Sequence, residues 1–159
     1  MVQSEVGRGT TFQLYLPVAP PELEKTVTST PFEKKGAGEK ILILDPDATV
    51  RDALRLTLEK SGYAVEVAAE PWPAIEAAQR EKSLALFITE IALPGMPGLE
   101  MIGRVRSLHP KLPIVAISSL TNPKLQSALA EAVPGSDYLA KPIAAQTLLT
   151  SVRQMLKTP

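Results

Sequence analysis

Four side chains that can do chemistry stand directly after short apolar runs of this sequence. Such runs predict buried strands of a parallel sheet. Ligand chemistry in an open parallel sheet takes place beyond the carboxyl ends of the strands, so we expect the four side chains to converge. With the runs that precede them, they are Asp45 after ILIL, Glu90 after LALFIT, Ser118 after PIVAI and Lys141 after YLA.

Two carboxylates, a hydroxyl and an ammonium at one sheet edge would suit a small hard cation and a phosphoryl group. Carboxylate oxygens bind Mg²⁺, which keeps several of its waters. Lysine and serine supply hydrogen-bond donors for phosphoryl oxygens. A nucleotide or other small-molecule binder on the same fold is disfavoured, because Asp45-Pro46-Asp47-Ala48 is not a glycine-rich phosphate loop.

The order acid, acid, hydroxyl, Lys-Pro resembles the receiver domain of two-component response regulators. The segments ILILDPDATVR, ITEIALPGMPG and SDYLAKPI carry the resemblance, which covers Glu39 to about Leu156. It implies an α/β fold, a doubly wound five-stranded parallel sheet of flavodoxin-like order 2-1-3-4-5. It also implies cytoplasmic phosphorelay signalling. The implied partner is a histidine kinase core or a histidine phosphotransfer protein, and a homodimer is allowed.

The resemblance also implies roles for single residues. An aspartate in the family receives the phosphoryl group from a phosphohistidine, and Glu90 stands at its place. Lys141 and Ser118 match the family's lysine and hydroxyl, and Tyr138 matches its switch aromatic, with packing as the alternative role. We expect a Glu90–Lys141 ion pair as the main resting interaction, since perturbed ion pairs are often structural.

A metal site is implied less completely. The family places two adjacent acids after the first strand, whereas here Asp45 is followed by Pro46. Mg²⁺ would therefore bind weakly, through Glu90, a carbonyl near Ala92 and water, with Asp45 as a ligand or instead as a loop acceptor. Asp47 is expected to cap a helix.

Glutamate is longer than aspartate by about 1.5 Å, and in-line transfer is sensitive to placement at about that scale. We therefore expect phosphoryl transfer to Glu90 to be slow or absent, and the domain to act by protein contacts. The longer side chain should carry its charge outward and so imitate a phosphoryl group in part. The alternative function is a working Mg²⁺-dependent phosphoacceptor that uses Glu90.

The first residues, VQSEVGRGTTFQLYLP, do not fit the receiver pattern. Gly7, Gly9 and Thr10 favour a turn, and Thr11 to Leu16 the second strand of a hairpin. This hairpin resembles the last one of the ATP-binding domain of sensor histidine kinases, which implies a hybrid sensor histidine kinase as the parent protein. The predicted organisation is a kinase remnant over 1–17, a linker over 18–39 and a receiver domain over 40–157; the fragment itself is not predicted to be an enzyme.

The remaining elements alternate between strands and helices. Helices are predicted from the Asp47 cap to Gly62 and over 71–81, 99–108, 123–132 and 144–156, with a strand over 63–67. The Lys141–Pro142 peptide is expected to be cis, as the family's is. His109 is expected to be exposed, and Trp72 to be a surface anchor or a core residue.

Composition narrows the function classes. The formal charge is zero, aromatic residues are 4% and no basic stripe is present, so nucleic-acid binding is not predicted. No apolar run is long enough to cross a bilayer, so no membrane contact is expected. The chain has no cysteine, which removes disulfides and thiolate sites and fits a cytoplasmic location.

Overall fold

The computed structural model describes residues 2–5, 7–13, 15, 36–119 and 123–157, with side chains of the last range from residue 126 onward. The chain divides into two compact units, residues 1–31 and 32–159. Within the described residues, no helix has both the length and the apolar content that a membrane span requires.

The first unit contains the predicted hairpin. Strand β1 (Val2–Glu5) pairs antiparallel with β2 (Gly9–Phe12). The second strand therefore begins two residues earlier than predicted, and the turn consists of Gly7, with φ 82°, and Arg8. All eight strand residues are exposed. Leu14 and Leu16, which were predicted to extend the second strand, lie outside the described residues.

The second unit is a five-stranded parallel sheet covered by helices. Its strand order is β4-β3-β5-β6-β7, which confirms the predicted flavodoxin-like order 2-1-3-4-5. The strands are β3 (Lys40–Leu44), β4 (Ala64–Ala68), β5 (Leu84–Glu90), β6 (Ile114–Ser118) and β7 (Asp137–Ala140). The helices are α1 (Ala48–Lys60), α2 (Pro71–Arg80), α3 (Gly98–Leu108), α4 (Pro123–Ala132) and α5 (Ala145–Lys157).

Two apolar cores lie on opposite faces of the sheet, because successive side chains of a strand point to opposite faces. On β3, Ile41 and Ile43 pack with residues of α1 and α5, whereas Leu42 and Leu44 pack with residues of α2, α3 and α4. Burial on both faces explains why the central strands are uninterrupted apolar runs. Because both faces of the central strands are covered, polar side chains of these strands are found at the strand ends.

Helix α1 is set by signals at both of its ends. Asp47 caps it as predicted, since one carboxylate oxygen accepts the Thr49 N–H at 2.8 Å and the Val50 N–H at 3.4 Å. After the helix, Gly62 has φ 95°, and a Cβ there would lie 2.7 Å from the carbonyl oxygen of Gly36. Gly36 and Gly38 donate N–H bonds to Ser61 and Gly62, both at 3.0 Å. The end of the predicted linker is therefore bonded to the α1–β4 turn.

Candidate functional site

The four predicted side chains stand at neighbouring strand tips on the carboxyl edge of the sheet. Glu90 ends β5 and Ser118 ends β6, while Asp45 and Lys141 directly follow β3 and β7. The parallel register aligns Glu90 with Ile117, and Ser118 with Ala140. The Lys141 N–H extends the ladder by donating to the Ser118 carbonyl at 2.8 Å. This hydrogen bond to β6 therefore fixes the backbone position of Lys141.

Lys141 joins the two acids. Its ammonium lies 2.6 Å from Asp45 Oδ2 and 2.6 Å from Glu90 Oε2. The predicted Glu90–Lys141 pair is confirmed, and the second partner, Asp45, was not predicted. The three side chains expose 15%, 1% and 6% of their surface in the order Lys141, Asp45, Glu90. Burial by itself lowers the pKa of Lys141, but the hydrogen bonds to Asp45 and Glu90 outweigh it and raise the pKa above its ordinary value.

The Glu90 side chain turns back onto its own loop. Its Oε1 accepts the backbone N–H groups of Ile91 and Ala92, both at 2.8 Å. Glu90 is buried and both of its oxygens accept hydrogen bonds, so its charge stays between Lys141 and the loop, and the imitation of a phosphoryl group stays a prediction. The extra methylene provides the reach for this turn. Charge-assisted bonds of this kind are stronger than bonds between neutral groups.

Asp45 is built into the loop between β3 and α1. Its Oδ1 accepts the Asp47 N–H at 2.8 Å, so the alternative role of loop acceptor is realised. The guanidinium of Arg51 donates to the carbonyls of Asp45 at 2.6 Å and Pro46 at 2.9 Å. Sequence reasoning missed Arg51. The available signal was its place in the first turn of α1, within reach of a loop whose carbonyls lack strand partners.

Ser118 lies on β6 and Tyr138 on the neighbouring strand β7. Ser118 is completely buried at the tip of β6. Tyr138 is half-buried and packs against the core beneath α2, α3 and α4. These positions agree with the packing alternative for Tyr138, and its role as a switch stays a prediction. The Lys141–Pro142 peptide is cis, as predicted.

His109 directly follows α3, and Trp72 lies in the first turn of α2. The expectation that His109 is exposed is wrong: the ring is half-buried and its Nε2 lies 2.7 Å from the Ala78 carbonyl, near the end of α2. A helix leaves its last carbonyls without internal donors, and the imidazole supplies one. Trp72 is exposed, and the guanidinium of Arg104 lies 5.1 Å from its ring centre. Trp72 is therefore a surface residue.

The arrangement does not fit Mg²⁺ as it stands. Mg²⁺ needs oxygen ligands at about 2.0–2.1 Å in octahedral geometry. The facing oxygens of Asp45 and Glu90 both bind the Lys141 ammonium, which fills the position between them. Within the part of the chain that the structure describes, no group of three His, Cys, Asp or Glu residues is placed to hold a metal ion. The roles of Asp45 and Glu90 as ligands stay predictions.

Comparison with known proteins identifies the family. The family model of the response regulator receiver domain matches residues 41–153. Response regulator MprA of Mycobacterium leprae is 33% identical over 123 residues, which are 74% of this chain and 51% of MprA. A 14.6 kDa protein of Leptolyngbya boryana is 38% identical over 118 residues, which are 72% of this chain and 87% of that protein.

A solved structure agrees with these relatives. Chemotaxis protein CheY4 of Vibrio cholerae superimposes with a TM-score of 0.69 at 30% identity, over 75% of this chain and 99% of CheY4. The chain spans about half the length of the MprA proteins that it matches. Matched by the family model over most of its second unit, the chain belongs to the response regulator receiver domain family.

Proposed function

We propose that this receiver domain of two-component signalling acts through protein contacts and accepts a phosphoryl group slowly or not at all. The position of the Glu90 carboxylate carries the proposal. One oxygen accepts two backbone N–H groups and the other binds Lys141. An attacking carboxylate oxygen has to be free to align with the phosphorus atom, and both oxygens of Glu90 already accept hydrogen bonds.

Releasing Glu90 for attack would also be unfavourable. The backbone N–H groups of Ile91 and Ala92 would lose their acceptor, and Lys141 would keep one carboxylate where it now has two. Buried donors left without an acceptor cost about 1–3 kcal/mol each. The ground state is therefore stabilised against the rearrangement that phosphorylation requires.

A small phosphodonor tests this proposal. The full chain is incubated with acetyl phosphate and Mg²⁺ and its intact mass is measured. Phosphorylation would join a Glu90 oxygen to phosphorus as an acyl phosphate and release acetate. We expect no gain of a phosphoryl group. A gain that Glu90→Gln abolishes would favour the alternative function, a Mg²⁺-dependent phosphoacceptor that uses Glu90.

A gain-of-function variant provides the matching positive experiment. Glu90→Asp combined with Pro46→Asp shortens the acceptor and adds an acid beside Asp45. We expect this double variant to take up a phosphoryl group under conditions in which the unaltered chain does not. If neither protein is modified, then features other than the acceptor length and the missing acid block the reaction.

We further propose that the partner is a histidine kinase core or a histidine phosphotransfer protein, contacted through α4, β7 and α5. A groove of about 300 Å³ on this surface offers a partner both apolar contact and hydrogen-bonding groups; it is lined by Asp137, Leu139, Gln146, Thr147, Thr150, Ser151 and Gln154. Homodimer formation is the competing use of the surface. Sedimentation of the chain alone and with the kinase core distinguishes the two.

We also propose that the parent protein is a hybrid sensor histidine kinase. The support is the resemblance of residues 2–17, together with the formation of the hairpin β1–β2. The eight strand residues of the hairpin are exposed, Phe12 at 76%. A lone two-stranded hairpin is marginal in water, so a larger sheet would supply the missing contacts. An upstream coding sequence without an ATP-binding core would contradict this proposal.

A further inference from the structure

A pocket of about 490 Å³ opens at the amino ends of β5 and β6, the sheet edge opposite to Glu90 and Ser118. Leu84, the first residue of β5, forms one wall, and residues 108–113, which connect α3 to β6, form the others. Pockets that bind small molecules usually enclose about 300–1,000 Å³. The signalling function proposed above does not use these residues.

The loop that forms most of the pocket is held by hydrogen bonds on several sides. The Leu112 N–H donates to the His109 carbonyl at 3.1 Å, which closes a turn within the loop. The His109 ring is bonded to the Ala78 carbonyl at 2.7 Å. The Phe87 N–H of β5 donates to the Pro113 carbonyl at 3.1 Å. A ligand would therefore meet a pocket that is already formed, so binding would require little ordering of the protein.

Most of the lining is apolar. Leu84 and Leu112 pack with the core residues of α2 and α3 and also border the pocket. Leu108 ends α3 and exposes 37% of its surface. Pro110 and Pro113 complete this surface. Transfer of an apolar group from water onto such a surface is favourable.

Two cations border the apolar surface without acidic partners. Lys111 is an exposed residue of the pocket wall. Arg106 donates from Nη1 to the Pro110 carbonyl at 3.1 Å. Among the described residues, the ion pairs of the chain include neither of them, and Glu81, shortly before β5, is already bound by Lys40. The pocket lining contains no acid, so its charge favours an anion and disfavours a cation.

We propose that this pocket binds a small amphiphilic carboxylate, such as a free medium-chain fatty acid. The apolar body would lie on Leu84 and Leu108, and the carboxylate would accept hydrogen bonds from the Lys111 ammonium. A purely apolar ligand would leave the ammonium without an acceptor. A small inorganic anion would leave the apolar surface in contact with water. An amphiphilic anion satisfies both parts of the pocket.

Titration with decanoate, kept below its micelle concentration, tests the proposal. Amide shifts of the ¹⁵N-labelled full chain are followed by NMR. We expect saturable shifts at residues 84 and 108–112 with a dissociation constant of about one millimolar. Shorter carboxylates, down to hexanoate, should bind about twofold to fourfold more weakly for each methylene removed. Decanol and decyltrimethylammonium should bind about fivefold more weakly or less well still, because neither is attracted to the lysine.

Two variants with matched controls locate the site. Lys111→Met should weaken decanoate binding by about fivefold and leave decanol binding unchanged, whereas Lys60→Met, at an exposed lysine of α1, should change neither. Leu108→Asp should abolish saturable binding, whereas the same change at Leu56, an exposed leucine of α1, should not. All four positions are exposed, and the amide spectrum of each variant checks its fold. If Leu108→Asp is unfolded, loss of binding in Lys111→Glu provides the same test.

Three results would overturn the proposal. The first is the absence of saturable shifts at about ten millimolar decanoate. The second is binding that persists in folded Leu108→Asp, or equal binding of decanoate and decyltrimethylammonium, because either would show adsorption without a defined site. The third is cosedimentation with phosphatidylglycerol vesicles without binding of free decanoate, which would assign the surface to a membrane.

Discussion

Lysine–carboxylate contacts lie at both edges of the sheet, and their surroundings differ. At the carboxyl edge Lys141 is 15% exposed and binds acids that expose 1% and 6%. At the amino edge Lys40 is 50% exposed and pairs with Glu81, which is 20% exposed. Water screens the second contact and not the first. The comparison shows that the same pair of chemical groups serves as a structural bridge in one place and as a surface contact in the other.

Removal of the buried ammonium should have the largest effect. Lys141→Met leaves Asp45 and Glu90 charged, buried and without their shared partner. We expect the free energy of unfolding to fall by about 3–5 kcal/mol, the cost of an uncompensated buried charge. Urea denaturation in the presence of a chelator measures the change. Lys40→Met is the matched control and should have a much smaller effect; equal losses would mean that burial does not separate the two contacts.

Neutralisation of one acid should have a smaller effect than removal of the lysine. In Glu90→Gln the amide oxygen still accepts from Ile91 and Ala92, and Lys141 keeps Asp45. The amide NH₂ then faces the Lys141 ammonium as a second donor, so one charged hydrogen bond is lost, and we expect about 1.5–3 kcal/mol in urea denaturation. A loss as large as that of Lys141→Met would show that Glu90, rather than the three-membered bridge, holds the strand tips together.

The next largest effect is expected in the loss of folding stability at alkaline pH, to which the Lys141 bridge contributes. The folded pKa of Lys141 is raised above its unfolded value, so its contribution is fully present below the unfolded pKa and is lost as pH rises through the folded pKa. Burial also raises the pKa of Tyr63, which acts in the same pH range and with the same sign. Tyr63→Phe removes that second contribution. Unfolding midpoints from about pH 8 to about pH 11 should fall less steeply in Lys141→Met than in Tyr63→Phe.

The sequence predicts where the site residues lie along the backbone, but not how their side chains are directed. The positions of Asp45, Glu90, Ser118 and Lys141 were predictable, because apolar runs mark buried parallel strands and parallel strands share one carboxyl edge. The strand order followed from the family resemblance. The backbone placement of the site therefore follows from the sequence.

Side-chain directions within the site were not available from the sequence. The turn of Glu90 onto its loop depends on two N–H groups that the loop presents, and the contact of Arg51 with the Asp45 carbonyl depends on the pitch of α1. The contact of His109 could not be predicted either. Its donor role depends on the end of α2, about thirty residues away along the chain. Such contacts follow from rotamers and tertiary distances, which residue types and spacing do not determine.

Loss of the surface contact between Lys40 and Glu81 at the amino edge should have the smallest effect on stability. This effect is expected at acid pH. Hydrogen bonds from Lys40 and Ser83 lower the pKa of Glu81 to about 2. A lowered carboxyl pKa contributes stability that is present above the unfolded pKa and is lost as pH falls through the folded pKa. The acid limb of Glu81→Gln should therefore be slightly flatter than that of the unaltered chain below about pH 4. Because the pair is exposed, added salt should erase the difference, whereas it should leave the alkaline difference of Lys141→Met in place. A salt-resistant effect of Glu81→Gln would mean that the amino edge is shielded from water as the carboxyl edge is.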